Sequence, residues 1–140
     1  MKRILIDTNI ILDYLINRKP FFDNSKKIID LCVNNTIECY IAAHTITNLF
    51  YILRKYYSYD ERKEIILELS KIFTIIPIDH KKINLVLIDK SCKDIEDGLQ
   101  IECAKEYGLD YIVTRNISDF LNSKVKTLQP DVFINLIIKE

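Results

Sequence analysis

Apolar residues in this chain follow two rhythms. Five short runs are too brief for helices: Arg3 to Asp7 (RILID), Glu38 to Ala43 (ECYIAA), Phe73 to Ile78 (FTIIPI), Asp110 to Thr114 (DYIVT) and Val125 to Leu128. They predict buried strands, the last of them weak. Between them, apolar positions recur at helical spacing. Ile10, Ile11, Tyr14 and Leu15 form one stripe, Phe22, Ile28, Ile29 and Cys32 a second, and Ile46, Leu49, Phe50 and Leu53 a third. Thr8 and Asn9 are good N-caps for the first helix. Pro20 stops it and can open the next. Asn34-Asn35 predicts a turn. Thr45 to Tyr57 predicts a third helix, and Asp60 is placed to cap another through about Ile72. His80 to Asp89 and Asp94 to Tyr107 follow, with Asp94 as cap and Gly108 where a left-handed C-cap belongs. Asn116 to Asn122 predicts a short turn or helix, and Pro130 opens a closing helix.

Strands alternate with helices throughout. That order predicts an α/β/α three-layer sandwich around a central parallel sheet of four to five strands. The 140 residues show no internal repeat and no linker, and suggest a single domain spanning 1–140. With 49% apolar and 29% charged residues the chain can bury a core. Two glycines and three prolines argue against a turn-rich β sandwich. Twenty basic residues balance twenty acidic ones, so no bulk positive charge attracts nucleic acid, and any such binding must rest on a local patch or a metal. The opening MKRILIDTNIILDYL is interrupted by Asp7 and Asp13. It reads as neither a leader nor a membrane span, and the expected location is the cytoplasm. Four cysteines without a CxxC pair, far in sequence from His44 and His80, argue against a zinc site; they are expected as free thiols rather than a disulfide framework.

Ligands of open α/β sheets gather at the carboxyl ends of the strands. Asp7 ends the first strand. Asn48 lies about one turn into the helix after the second. Asp97 lies in the first turn of the helix leading to the fourth, and Thr114, Arg115, Asn116 and Asp119 follow that strand directly. Three carboxylates and two amides from four segments can thus converge on one rim. Clustered carboxylates resist ionising together, and a hard divalent cation relieves them. Mg²⁺ or Mn²⁺ suits this oxygen set and can orient a phosphodiester and acidify a water. Each residue also has a simpler reading. Asp7, Asp94 and Asp119 can be caps. Glu96 and Asp97 can be first-turn acids favoured by the helix dipole. His44 and His80 read as surface or capping residues. Tyr51, Tyr56, Tyr57 and Tyr59, with Arg54 and Lys55, can stack on bases or form packing and a dimer surface. Asn48 is poorly suited to mid-helix, which favours a polar role.

The segments ILIDTNIILDYL, AAHTITNLFYILRK and DIEDGLQIECAKEYGLDYIVTRNISDF, in this order and separation, resemble the PIN-domain family, the fold of VapC-type toxins of type II toxin–antitoxin pairs. The resemblance covers essentially the whole chain. It implies a metal-dependent ribonuclease centre built from three or four acids. Carried over residue by residue, these fall on Asp7, on Asn48 (an amide in place of an acid), on Asp97, and on Asn116 or Asp119. Asp7, Asp97, Asn116 and Asp119 are then the candidate metal ligands, and Asp7, Asn48, Asp97 and Asp119 the catalytic set. Thr8, Asn9 and Thr114 match polar support positions, and Arg115 is expected to face phosphate. The family further implies Mg²⁺ or Mn²⁺ as cofactor, RNA as substrate, a homodimer and a small antitoxin partner. Asn48 and Asn116 sustain an alternative, an impaired nuclease that only binds RNA or protein. A haloacid-dehalogenase-type phosphotransferase is disfavoured because TNIIL after Asp7 lacks a second aspartate two residues on, and no lysine suits a receiver domain.

Overall fold

The structure is a computed structural model and describes residues 1–139. Five strands, β1 (Arg3–Ile6), β2 (Glu38–Ala42), β3 (Thr74–Ile76), β4 (Tyr111–Val113) and β5 (Lys126–Leu128), form a parallel sheet in the order β3-β2-β1-β4-β5. Seven α-helices surround it: α1 (Thr8–Leu15), α2 (Phe22–Val33), α3 (Ala43–Ile52), α4 (Tyr59–Ile72), α5 (His80–Ile88), α6 (Ile95–Glu106) and α7 (Pro130–Ile138).

The period-two alternation of strand side chains sorts the core into two halves. Ile4 and Ile6 face one side, with Cys39, Ile41 and Val113, where α1, α2, α3, α4 and α7 supply Ile11, Ile28, Leu49, Leu69 and Phe133. Leu5, Ala42, Ile76 and Ile112 face the other, packed on Cys103 and Ala104 of α6. Both faces are covered, so the strands read as unbroken apolar runs, as expected for an all-parallel sheet. The order reverses at β1, whose neighbours are β2 and β4. The carboxyl ends of β1 and β4 are therefore the crevice in which the sheet accepts a ligand.

Several helix ends differ from the expectation in informative ways. Asp7, not Thr8 or Asn9, occupies the N-cap position of α1, and its side chain makes no cap bond there. The third helix stops at Ile52 and tightens into a 3₁₀ turn, Leu53–Lys55. Ser58, not Asp60, caps α4. Its hydroxyl accepts from the Glu61 N–H at 3.2 Å, and the Glu61 carboxylate accepts from the Ser58 N–H at 3.0 Å, a complete capping box. Ser58→Ala is expected to lower stability by about 1 kcal/mol, a fall in melting temperature of roughly 3 °C, read by differential scanning calorimetry. Asp94 and Gly108 act as expected. The Asp94 carboxylate accepts from the Asp97 N–H, and Gly108 ends α6 at φ +59°.

The four-thiol expectation is corrected. Cys32 and Cys39 are disulfide-bonded, their Cα atoms 6.0 Å apart, while Cys92 and Cys103 are free. The α2–β2 connection folds back so tightly that two residues seven apart meet under the same core. Ample apolar content gave no hint of that encounter.

Candidate active site

Asp7 sits where β1 becomes α1, 6% exposed, with both carboxylate oxygens fixed from β4 and α6. Oδ2 accepts the Thr114 hydroxyl at 2.8 Å, and Oδ1 accepts the Gln100 side-chain N–H at 3.1 Å. Thr114 in turn accepts the Asn116 backbone N–H at 3.0 Å, so one hydroxyl ties Asp7 to the segment after β4. The Thr8 hydroxyl donates to Thr45 of α3 at 3.2 Å, which holds α1 against the helix carrying Asn48. Thr114 is thus bonded within the network around Asp7, and Thr8 bonds to Thr45 instead.

A cleft of about 340 Å³ opens at this rim. Asp7, Asn9, Asn48, Asp97, Asn116 and Asp119 all line it, together with Thr8, Glu96, Gln100, Tyr51 and Ile52. The predicted residues therefore share one cleft, with two exceptions: Thr114, which is fully buried and reaches the site only through Asp7, and Arg115. Arg115 points away. Its guanidinium grips Asp13, Nε to Oδ2 at 2.6 Å and an Nη to Oδ1 at 3.1 Å, and lies 3.9 Å over the Phe21 ring. Asp13 is fully buried and also faces Arg18 at 3.4 Å. The expectation that Arg115 faces phosphate is replaced by an ion pair, because a buried carboxylate claims the nearest guanidinium.

Asp97, half-buried in the first turn of α6, has its carboxyl pushed up to about 7. Burial is the main cause, followed by the carboxylates of Asp94, Asp7, Asp119 and Glu96. Asp97 is therefore partly protonated at neutral pH, and its ionisation costs folding free energy. The stability it contributes is full below the ordinary carboxylate range near 4 and is lost as pH rises through about 7. Asp97→Asn is expected to melt higher than the parent protein in EDTA at pH 8, by about 1 kcal/mol after allowance for solvent screening. The two proteins should coincide near pH 4. Thermal melts across that range check the crossover.

His44, at the start of α3, is not a free surface residue. Its Nε2 lies 3.0 Å from the Glu96 carbonyl and so donates to it, tying α3 to the first turn of α6. Burial lowers the imidazole pKa, and Nδ1 is left buried without a partner. His80 is exposed, 3.0 Å from the Asn84 amide, as a surface residue should be. Gly98 permits the close approach of α5 to this turn, since a Cβ there would stand 2.8 Å from Cys92 Sγ and 2.9 Å from Val86. Sequence reasoning passed over Gln100 and Asp13. Gln100 stands three residues after Asp97, on the same helical face. Asp13 is a charge inside an apolar stripe, which is a signal of a buried pair.

The donor set of the cleft is all oxygen on its charged groups. Among the described residues no three His, Cys, Asp or Glu side chains close into a ready-made cage. The residues fit a cation that takes one or two carboxylates and keeps its waters, as Mg²⁺ does. Neighbouring carboxylates that hold Asp97 toward its neutral form are the electrostatic counterpart of that fit.

A sheet ordered this way, with aspartates gathered at the β1–β4 crevice, defines an α/β protein with an acidic site at its topological switch point. Residues 3–118 match the family model of the PIN domain, and the chain belongs to the PIN-domain family. It is 29% identical to Ribonuclease VapC1 of Aquifex aeolicus (strain VF5) over 138 aligned positions, covering 94% of this chain and 93% of that protein. The fold is similar to FitAcB from Neisseria gonorrhoeae, with a TM-score of 0.68 at 20% identity over 91% of this chain and 97% of that one. It is also similar to VapBC2 from Rickettsia felis bound to a DNA fragment from their promoter, with a TM-score of 0.66 at 16% identity over 91% of this chain and 98% of that one. Among the described residues no helix is long and apolar enough to cross a membrane.

Proposed function

We propose that this protein is a metal-dependent endoribonuclease of the toxin type, cleaving RNA phosphodiester bonds at the Asp7–Asp97 cleft. The observation that carries the reading is the meeting of Asp7, Asn48, Asp97, Asn116 and Asp119 in one cleft at the switch point of a PIN fold. Asp7 and Asp97 would hold Mg²⁺ or Mn²⁺, with Asp119 and Asn116 completing the donor set. Bound there, the cation supplies Lewis acidity and a lowered water pKa.

The chain's own residues do the rest. Thr114 and Gln100 keep both oxygens of Asp7 oriented, so no rotamer search precedes ligand capture. Asp97, with its carboxyl pushed up to about 7, would favour its ionised form beside a bound cation. Asn48 offers a neutral amide where the resemblance to the family implies an acid; it removes a charge and keeps an oxygen acceptor. Asn9 and Tyr51 border the cleft, where a nucleotide can meet an amide and a ring.

RNA incubated with the purified protein and Mn²⁺ is expected to be cut, and EDTA to stop the cutting. Intact RNA under both conditions would remove the enzyme reading. The amide at Asn48 favours a second reading, a PIN module that binds RNA or a protein partner without cleaving. Calorimetric titration separates the two, because that reading requires RNA affinity with no Mn²⁺ binding at millimolar metal. A similar fold solved as a toxin–antitoxin complex from Klebsiella pneumoniae supports a small antitoxin as partner. We extend the same reading to a cytoplasmic homodimer, testable by sedimentation.

A further inference from the structure

Gln100 is one of few polar side chains in the core, 2% exposed, and it lines the cleft beside Asp7. An ionised carboxylate only accepts hydrogen bonds. The Gln100 amide must therefore turn its nitrogen toward Asp7 Oδ1, and it does, at 3.1 Å. That fixes the opposite end. Oε1 cannot flip away without setting oxygen against oxygen, and it is left buried with no donor. A buried acceptor without a partner is costly and calls for an explanation. Its neighbours do not supply one. Thr114 gives its hydrogen to Asp7, and no other donor stands within hydrogen-bond distance of Oε1.

We propose that Gln100 is a positioning residue with two ends: its N–H₂ orients Asp7, and its Oε1 accepts a hydrogen bond from a water in the hydration shell of the cation that Asp7 holds. The inference rests on the metal site proposed above. A hydrated divalent cation is the donor suited to this place. It keeps several waters, each a stronger donor than bulk water, and needs acceptors beyond its direct ligands. The orphaned oxygen is thus an outer acceptor awaiting its donor, built into α6 three residues from Asp97. The same helix would then supply one direct ligand and one outer partner.

The test is Mn²⁺ affinity by isothermal calorimetry on the full chain, for the parent protein, Asp7→Asn, Thr114→Val, Gln100→Leu and Gln100→Met, with circular dichroism to confirm folding. Gln100→Leu removes both ends and is expected to weaken Mn²⁺ about tenfold or more, the usual effect of losing an outer partner. Thr114→Val removes the other donor to Asp7 but leaves Oε1 in place, and is expected to weaken Mn²⁺ less than Gln100→Leu does. If Gln100 only oriented Asp7, these two variants would weaken alike, and the assignment of Oε1 would be overturned. Unchanged Mn²⁺ affinity in Gln100→Leu, with weakened RNA binding, would also overturn it by giving Oε1 to the nucleic acid. Should Gln100→Leu not fold, the near-isosteric Gln100→Met takes its place in the same comparison. Failure of the metal reading looks different: the parent and Asp7→Asn would then show equal, negligible Mn²⁺ binding, and the proposal would fall with it.

Discussion

Asp7→Asn is expected to abolish RNA cleavage, by about three orders of magnitude, while leaving the protein folded. The size follows from the several kcal/mol that a bound cation contributes to phosphoryl chemistry, at about 1.4 kcal/mol per tenfold in rate. The selectivity follows from the hydrogen bonds. Asn keeps one oxygen acceptor for Gln100, and its N–H₂ can donate to the Thr114 hydroxyl, whose own hydrogen is then free to turn elsewhere. Loss of the charge also relieves Asp97, on which Asp7 acts as a repelling neighbour. The melting temperature should therefore move by no more than a few degrees, on the order of 1 kcal/mol. Cleavage at the parental rate by a folded Asp7→Asn protein would remove the site. A collapse in melting temperature would assign Asp7 to the architecture instead.

Arg115→Ala gives the opposite pattern, a large loss of stability with the chemistry left in the folded fraction. Asp13 is fully buried, and Arg115 holds both its oxygens. Truncation leaves that carboxylate with Arg18 alone at 3.4 Å, and strips the guanidinium from the Phe21 ring. An abandoned buried charge costs about 3 kcal/mol or more, a fall of roughly 10 °C in melting temperature. Lysine should rescue it poorly, because a single ammonium cannot span both oxygens. Replacing both partners with apolar residues, Asp13→Leu with Arg115→Met, should recover most of the loss. Urea unfolding of the single and double variants measures the coupling. A folded Arg115→Ala protein that no longer cuts RNA would return Arg115 to the substrate.

The two outcomes separate residues that look alike in sequence. Asp7 and Asp13 lie six apart in one helical opening, both charges among isoleucines and leucines. Residues 7 and 119 were legible because each follows a strand whose apolar run is unmistakable, and Asp97 because it opens the helix that leads to β4; the resemblance to the PIN-domain family made them a set. The order of the strands was not legible. Neither was the fate of Arg115, which follows β4 as directly as Asn116 but turns the other way. The Cys32–Cys39 bond and the Ser58 cap were missed for a related reason. Each depends on where the chain turns back, to within a residue, and several neighbouring residues were equally suited.

By itself the sequence determined the layered α/β architecture and the alternation of four to five strands with helices, which follow from periodicity and from local rules that act over a few residues and leave their mark in every segment. Spacing allowed Asp7, Asn48, Asp97, Asn116 and Asp119 to converge, and the resemblance to the PIN-domain family singled them out; the structure lines one cleft with all five. Only the tertiary structure decided which polar groups satisfy one another: Gln100 with Asp7, Arg115 with Asp13, His44 with the Glu96 carbonyl. Hydrogen bonds and buried charges are settled by ångström-scale distances between segments far apart in the chain, and no local pattern encodes those distances.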